Sequence, residues 1–176
     1  MTILKIDSSI AGDDSVTRKL TSEIVGQFGG TGEVIHRDLS AEPLDHLTAR
    51  GQDQHLLDEF IAADTVVIGA PMYNFTIPTQ LKAWLDRLAV AGRSFRYTEN
   101  GPEGLLGGKR VIVALASGGV YSDDNPFEHA KSYLKIFFNF IGIEPEFVAA
   151  DGLAIGPEQR ETSIRQALGE TIRLAA

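Results

Sequence analysis

Short apolar runs along the chain alternate with stretches whose apolar residues recur at helical spacing. Thr2–Asp7 reads as a first strand that ends in polar residues. Over Thr17–Phe28, the residues Leu20, Ile24, Val25 and Phe28 fall on one helical face, and Gly29-Gly30 supplies a stop signal. Glu33–Asp38 alternates as a second strand, and Gln52–Ala63 reads as a second helix. Thr65–Ala70 is apolar almost throughout, as a central strand buried on both faces must be. Pro78 stands where a helix can start, and Leu81, Trp84, Leu85 and Leu88 give that third helix its apolar stripe. Lys109–Ala116, Pro126–Phe140, Glu144–Ala150 and Pro157–Leu174 follow as strand, helix, strand and closing helix.

Strict alternation of strand and helix predicts an α/β fold, a parallel sheet with helices on both faces. Five strands suit the flavodoxin-like three-layer sandwich of order 2-1-3-4-5, whose switch point lies between strands 1 and 3. The 176 residues amount to one ordinary domain, expected to span 1–176. One connection is longer than joining requires. Gly92–Gly108 is rich in glycine and carries Phe95 and Tyr97, and loops of that length are usually functional or disordered.

Charge and composition remove several functions. Lys and Arg total 16 against 24 Asp and Glu, a formal charge of −8. That balance opposes binding to nucleic acid or to an anionic membrane surface. The absence of cysteine excludes disulfides, thiolate nucleophiles and Cys-ligated zinc. No run approaches the roughly 18 apolar residues of a membrane span, and the N-terminus lacks the basic and apolar regions of a signal peptide, so a cytoplasmic protein is expected.

In an open parallel sheet, ligands bind beyond the carboxyl ends of the strands at the switch point. Three loops should meet there. The first, Ser8–Thr17, leads into a helix, and its start amides with Ser15 and Thr17 could hold a phosphate. Ser15 as a mere helix cap is the plainer alternative. With Gly12 alone, the loop lacks the Gly-x-Gly-x-x-Gly of dinucleotide sites, which favours a mononucleotide phosphate. The second loop, Met72-Tyr73-Asn74-Phe75, suits the edge and face of a flat heteroaromatic ring. The third, Ser117-Gly118-Gly119, lets backbone approach something bulky. Together they describe a ligand with a phosphate at one end and a wide ring at the other, which flavin mononucleotide (FMN) fits best.

The run Ala70-Pro71-Met72-Tyr73-Asn74-Phe75, with Thr79-Gln80-Leu81-Lys82 after it, resembles the FMN-dependent NADH-azoreductases of bacteria. So does Phe95-Arg96-Tyr97-Thr98-Glu99-Asn100-Gly101-Pro102-Glu103-Gly104-Leu105. The likeness extends from Ser8-Ser9 to Ala154-Ile155-Gly156-Pro157-Glu158. It implies non-covalent FMN contacts at Ser9, at Ser15-Val16-Thr17, at Met72-Tyr73-Asn74-Phe75 and at Ala116-Ser117-Gly118-Gly119. It also implies a homodimer, NADH as electron donor, and reduction of quinones and azo compounds. Tyr73, Asn74 and Tyr121 are candidates for polarising flavin or substrate, and Phe95, Tyr97 and Tyr121 for the substrate pocket. In place of the family's frequent Ser-x-Ser, Thr17 takes the last position and keeps the hydroxyl. The segment Leu39–Gln54, which in the family helps form the dimer and the pocket rim, looks shorter than in the longest members.

Other motifs fail on inspection. Gly107-Gly108-Lys109-Arg110 lacks both the first glycine and the Ser or Thr of a P-loop. His36, His46, His55 and His129 are scattered without metal-ligand spacing, so no metal is expected. A flavodoxin-like electron carrier would share the fold, the FMN and the acidic surface. A flavin-independent interaction protein is a third, weaker alternative.

Overall fold

The computed structural model describes residues 1–28 and 32–174. In chain order the elements are β1 (Thr2–Asp7), α1 (Val16–Gln27), β2 (Glu33–Asp38), α2 (Gln54–Ala62), β3 (Thr65–Pro71), α3 (Thr79–Leu88), β4 (Phe95–Thr98), β5 (Gly101–Gly104), β6 (Arg110–Ala116), α4 (Ala130–Phe140), β7 (Glu146–Ala150) and α5 (Pro157–Leu174). The main sheet is parallel throughout and runs β2-β1-β3-β6-β7. This is the 2-1-3-4-5 order read from the sequence, because β4 and β5 form a separate antiparallel hairpin.

Each face of the sheet buries its own set of side chains. On one face Val16, Leu20 and Ile24 of α1 and Ala167 of α5 cover Ile3, Val67 and Ile112. On the other, Leu56 and Phe60 of α2, Trp84 and Leu85 of α3, and Leu134 and Phe138 of α4 cover Leu4, Val66, Ile68 and Val113. Successive residues of β3 therefore serve opposite faces, which is why that run carries no polar side chain at its centre. Phe60 meets Trp84 edge-on at 5.9 Å between ring centroids, joining α2 to α3.

Two helix starts differ from expectation by two residues or more, each for a local reason. Helix α2 starts at Gln54 rather than Gln52, since Asp53 takes a left-handed conformation with φ 54° that no helix continues. Helix α4 starts at Ala130 rather than Pro126. The Glu128 carboxylate accepts the backbone N–H groups of Ala130, Lys131 and Ser132 at 2.6–2.9 Å, satisfying the donors that open the helix. The Gly29-Gly30 stop signal lies outside the described residues.

The Gly92–Gly108 connection is not a loop but mostly the β4–β5 hairpin. Helix α3 starts beyond the carboxyl end of β3 and runs back, so the hairpin following it sits at the amino edge of the sheet. There it presses on the turn between α4 and β7. A Cβ on Gly104 would stand 2.0 Å from the Gly142 nitrogen, so only glycine permits this approach, and Leu106 N–H donates to Ile141 O at 3.0 Å.

Candidate functional site

Beyond the carboxyl ends of β1, β3 and β6 the three expected loops converge. Ser9, Ser15, Val16, Thr17, Met72, Tyr73, Ala116, Ser117 and Gly118 line one cavity of about 190 Å³. Sites for whole drug-sized ligands usually measure roughly 300–1,000 Å³. This cavity is therefore the size of a ligand's tail, and a wide ring would have to lie at its mouth.

The first loop is a network of hydroxyls. Ser15 caps α1, its Oγ accepting the Arg18 N–H at 3.2 Å, so the plainer reading of Ser15 holds. The same oxygen lies 3.1 Å from Thr17 Oγ1, and both residues are buried against the cavity. One hydrogen joins the two hydroxyls, which leaves the second free to point at an anion. Gly69 makes room for this end of α1, since a Cβ there would meet Thr17 at 3.3 Å and Asp7 at 3.2 Å. Arg18 then locks the loop from behind. Its guanidinium donates to both Asp38 oxygens at 2.6 and 2.8 Å and to Ser9 O at 2.9 Å.

That pair carries a pH dependence. The Arg18 hydrogen bonds, aided by the Ala41 and Ser40 backbone N–H groups, hold the Asp38 carboxyl at about 2. A folded pKa below the unfolded value of about 3.9 means stability that is complete above about pH 4 and lost as pH falls towards 2. Asp38→Asn should remove this part of the acid dependence of thermal unfolding measured between pH 5 and 2, and an unaltered profile would show that the pair contributes none of it.

The second loop is strained. Asn74 and Phe75 both have positive φ, 48° and 75°, inside a two-residue turn closed by Tyr73 N–H to Thr76 O at 2.8 Å. Such turns prefer Asn followed by Gly, so Phe75 occupies a position glycine would fill without cost. The turn is braced instead. Phe75 O accepts the His129 N–H at 3.0 Å, and the half-exposed Phe75 ring meets Phe127 at 5.1 Å and Tyr121 at 6.4 Å. Tyr73 ties this loop to the first, its hydroxyl accepting the Ile10 N–H at 3.1 Å and lying 3.3 Å from Ser9 Oγ.

The third loop is held by its neighbours in β7 and beyond. Ser117 Oγ lies 2.7 Å from both Gly119 O and Asp151 Oδ1, so its one hydrogen is engaged within the protein. A Cβ on Gly119 would stand 2.9 Å from the Tyr121 ring, and one on Gly118 would stand 3.3 Å from Ala154. Tyr121 lines a small adjoining cavity with Met72, Ala116 and Ser117.

Asn74, Phe75, Gly119 and Tyr121 thus do not line the main cavity, although Asn74 and Gly119 follow residues that do and Tyr121 lines the small adjoining one. Phe95 and Tyr97, expected as pocket walls, are not there. They line a different cavity of about 520 Å³ at the amino edge, with Leu47, Arg50, Arg87 and Val90. Phe95 is buried against Phe140 at 4.5 Å, whereas Tyr97 is 75% exposed. The sequence reading missed Leu153 and Arg160, which reach the main cavity from beyond β7. Both lie far along the chain from the glycines and hydroxyls that signalled the site. No described helix is long and apolar enough to cross a membrane.

The family model for the flavodoxin-like fold matches residues 1–174. The chain is 47% identical to an FMN-dependent NADH:quinone oxidoreductase 2 of Bradyrhizobium diazoefficiens, with both chains covered completely. It is 48% identical to an FMN-dependent NADH:quinone oxidoreductase of Stenotrophomonas maltophilia over 96% of this chain and 93% of the relative. Among solved structures, an azoreductase from Bacillus anthracis Sterne superposes with a TM-score of 0.88 at 27% identity, covering 99% of this chain and 98% of that one. An FMN-dependent NADH-azoreductase from Bacillus anthracis Ames Ancestor, in complex with FMN, superposes with a TM-score of 0.84 at 27% identity over the whole of both chains.

Proposed function

The chain belongs to the family of FMN-dependent NADH:quinone oxidoreductases, with a flavodoxin-like fold, and on that premise we propose that it binds FMN non-covalently, oxidises NADH, and reduces quinones and aromatic azo compounds. The observation that carries this reading is the convergence of two chemistries on one sheet edge. Hydroxyls and helix-start amides gather at Ser9, Ser15 and Thr17, and an aromatic turn stands at Met72–Phe75.

These residues fit FMN. Hydroxyl and amide donors at the head of α1 suit a phosphate monoester. A tail-sized cavity opening on a braced aromatic turn suits a ribityl chain followed by a wide ring. When bound, the flavin supplies hydride transfer between NADH and the acceptor. Ser15 and Thr17 hold the phosphate, the Met72–Phe75 turn orients the ring edge, and the strain at Asn74 and Phe75 is the cost of presenting those groups. Asn74 can both donate and accept at a flavin edge. Tyr73 acts chiefly through position, because its hydroxyl is engaged with the first loop.

NADH and the acceptor take turns on one exposed ring face. Initial rates of NADH oxidation, measured at several fixed quinone concentrations, should give parallel double-reciprocal lines. Lines meeting to the left of the axis would require two sites and end the shared-face reading.

The working form is a cytoplasmic homodimer. The amino-edge position of Tyr97 supports this, because that ring can wall a flavin site only if it belongs to a second chain. The exposure of Tyr97 fits that role. A stable interface of this kind buries on the order of 1,600 Å² or more. Light scattering should report a dimer, and a fully active monomer at micromolar concentration would overturn it.

A further inference from the structure

Among the groups lining the flavin cavity one has no counterpart in the readings above. Arg160 stands in the first turn of α5 and lines the cavity beside Ser15, Thr17 and Asp14. Its backbone N–H is used, donating to Gly156 O at 2.9 Å. Its guanidinium, among the described residues, makes no hydrogen bond and has no carboxylate within 4 Å.

The other arginine near this loop behaves oppositely. Arg18 follows Thr17 directly, yet its guanidinium is committed to Asp38 and to Ser9 O. Lys5 is committed as well, to Asp7 at 3.2 Å and to Ser22 Oγ at 2.9 Å. Among the described residues Arg160 is therefore the one cation on the cavity wall, and it is uncommitted.

The electrostatics call for such a group. A phosphate monoester carries about −1.5 to −2 charges at neutral pH. Here it would enter a chain of net charge −8, in a cavity whose wall includes Asp14 and whose approach includes Asp13. The amino end of α1 offers only about half a positive charge. Hydroxyl donors supply hydrogen bonds but no net charge. A guanidinium supplies both, in a planar fork that matches phosphate oxygens two at a time.

We propose that Arg160, which lines the same cavity as Ser15 and Thr17, is a cofactor-selecting residue that pairs with the FMN phosphate and makes this site prefer FMN to riboflavin. This rests on the placement of the FMN phosphate proposed above. The clamp closes the cavity from α5, an element that contributes nothing to the hydroxyl loop. Phosphate recognition then joins two helices that pack side by side on the same sheet face, α1 through its cap and α5 through its first turn.

The test titrates apo-protein with FMN and with riboflavin at low and high salt, following quenching of flavin fluorescence. Arg160→Gln should weaken FMN by about tenfold or more, the range of a hydrogen bond to a charged group, and leave riboflavin within about twofold. It should also flatten the salt dependence of FMN binding, a readout that a merely structural role would not move. Arg160→Lys should recover part of the affinity and most of the salt dependence. FMN affinity unchanged in Arg160→Gln, or both flavins weakened together, would overturn the assignment. Wild-type protein that binds FMN and riboflavin equally would instead overturn the phosphate placement on which it rests.

Discussion

Replacing both Ser15 and Thr17 by Ala should weaken FMN roughly a hundredfold while leaving riboflavin within a few-fold. The two hydroxyls share one hydrogen between them at 3.1 Å, so the remaining one is the donor that reaches an anion. Removing both takes away that donor together with the polarised pair behind it, an effect larger than either single change because the two act as a unit. The double variant also loses the α1 cap, which costs about 1 kcal/mol and a fall of roughly 2–4 °C in thermal midpoint. The fold should therefore survive, and the two flavins can be compared in the same folded protein. Equal weakening of FMN and riboflavin would mean that these hydroxyls serve the helix and not the phosphate.

Arg87→Ala should be the most destabilising single change outside the apolar core. The Arg87 side chain is fully buried at the end of α3, and it gathers three partners. Nε donates to Asp53 Oδ2 at 2.6 Å, one terminal nitrogen to Ala83 O at 2.8 Å, and the other to Asp45 O at 2.7 Å. These bonds pin the 39–53 connection against α3 and support Asp53 in its left-handed conformation. Truncation leaves the Asp45 carbonyl without its donor, since Ala83 O keeps the helical Arg87 N–H, and it leaves a void where the side chain lay. Asp53 is one-third exposed and can rehydrate, so the loss should sit at the lower end of the 3–5 kcal/mol typical of broken buried pairs. About 3 kcal/mol corresponds to a fall of roughly 6–12 °C in thermal midpoint for a chain of this size. A fall of less than about 2 °C would show that the connection is held by something else.

The sheet was legible in the sequence because each strand's burial leaves a distinct mark. Thr65–Ala70 reads as apolar on both faces, and the structure extends that strand by only one residue. Pro157 marks the start of α5 to the residue, since proline is welcome where no N–H is needed. The hairpin at Phe95–Gly104 was not legible. Its second strand is Gly-Pro-Glu-Gly, which carries no period-two pattern and owes its conformation to the Ile141–Gly142 turn it presses against. The start of α4 was hidden for a similar reason: Pro126 looks like a first helical residue, but the capping carboxylate of Glu128 sets the boundary.

The candidate site divides along the same line. Ser9, Met72, Tyr73 and Ser117 sit on loops directly after strands, and Ser15 and Thr17 open the helix that the first of these loops leads into, so strand order brings them together. Arg160 comes from a helix that no local motif connects to the phosphate loop, and its approach depends on how α5 lies beside α1. Phe95 and Tyr97 read as pocket walls because they sit on the long glycine-rich connection, and the path of α3 carries them to the opposite edge of their own chain. Under the proposed homodimer such residues would reach a flavin of the second chain, and one sequence carries no direct mark of that.

The half-reaction with NADH alone tests the central claim most directly. Protein loaded with FMN is mixed with NADH in the absence of oxygen and of any acceptor, and the visible absorbance of the flavin is followed. The account predicts that the absorbance is lost with one NADH consumed per FMN, and that adding a simple quinone restores it. A flavin that binds but keeps its absorbance in the presence of NADH would contradict the account and leave an electron carrier in its place.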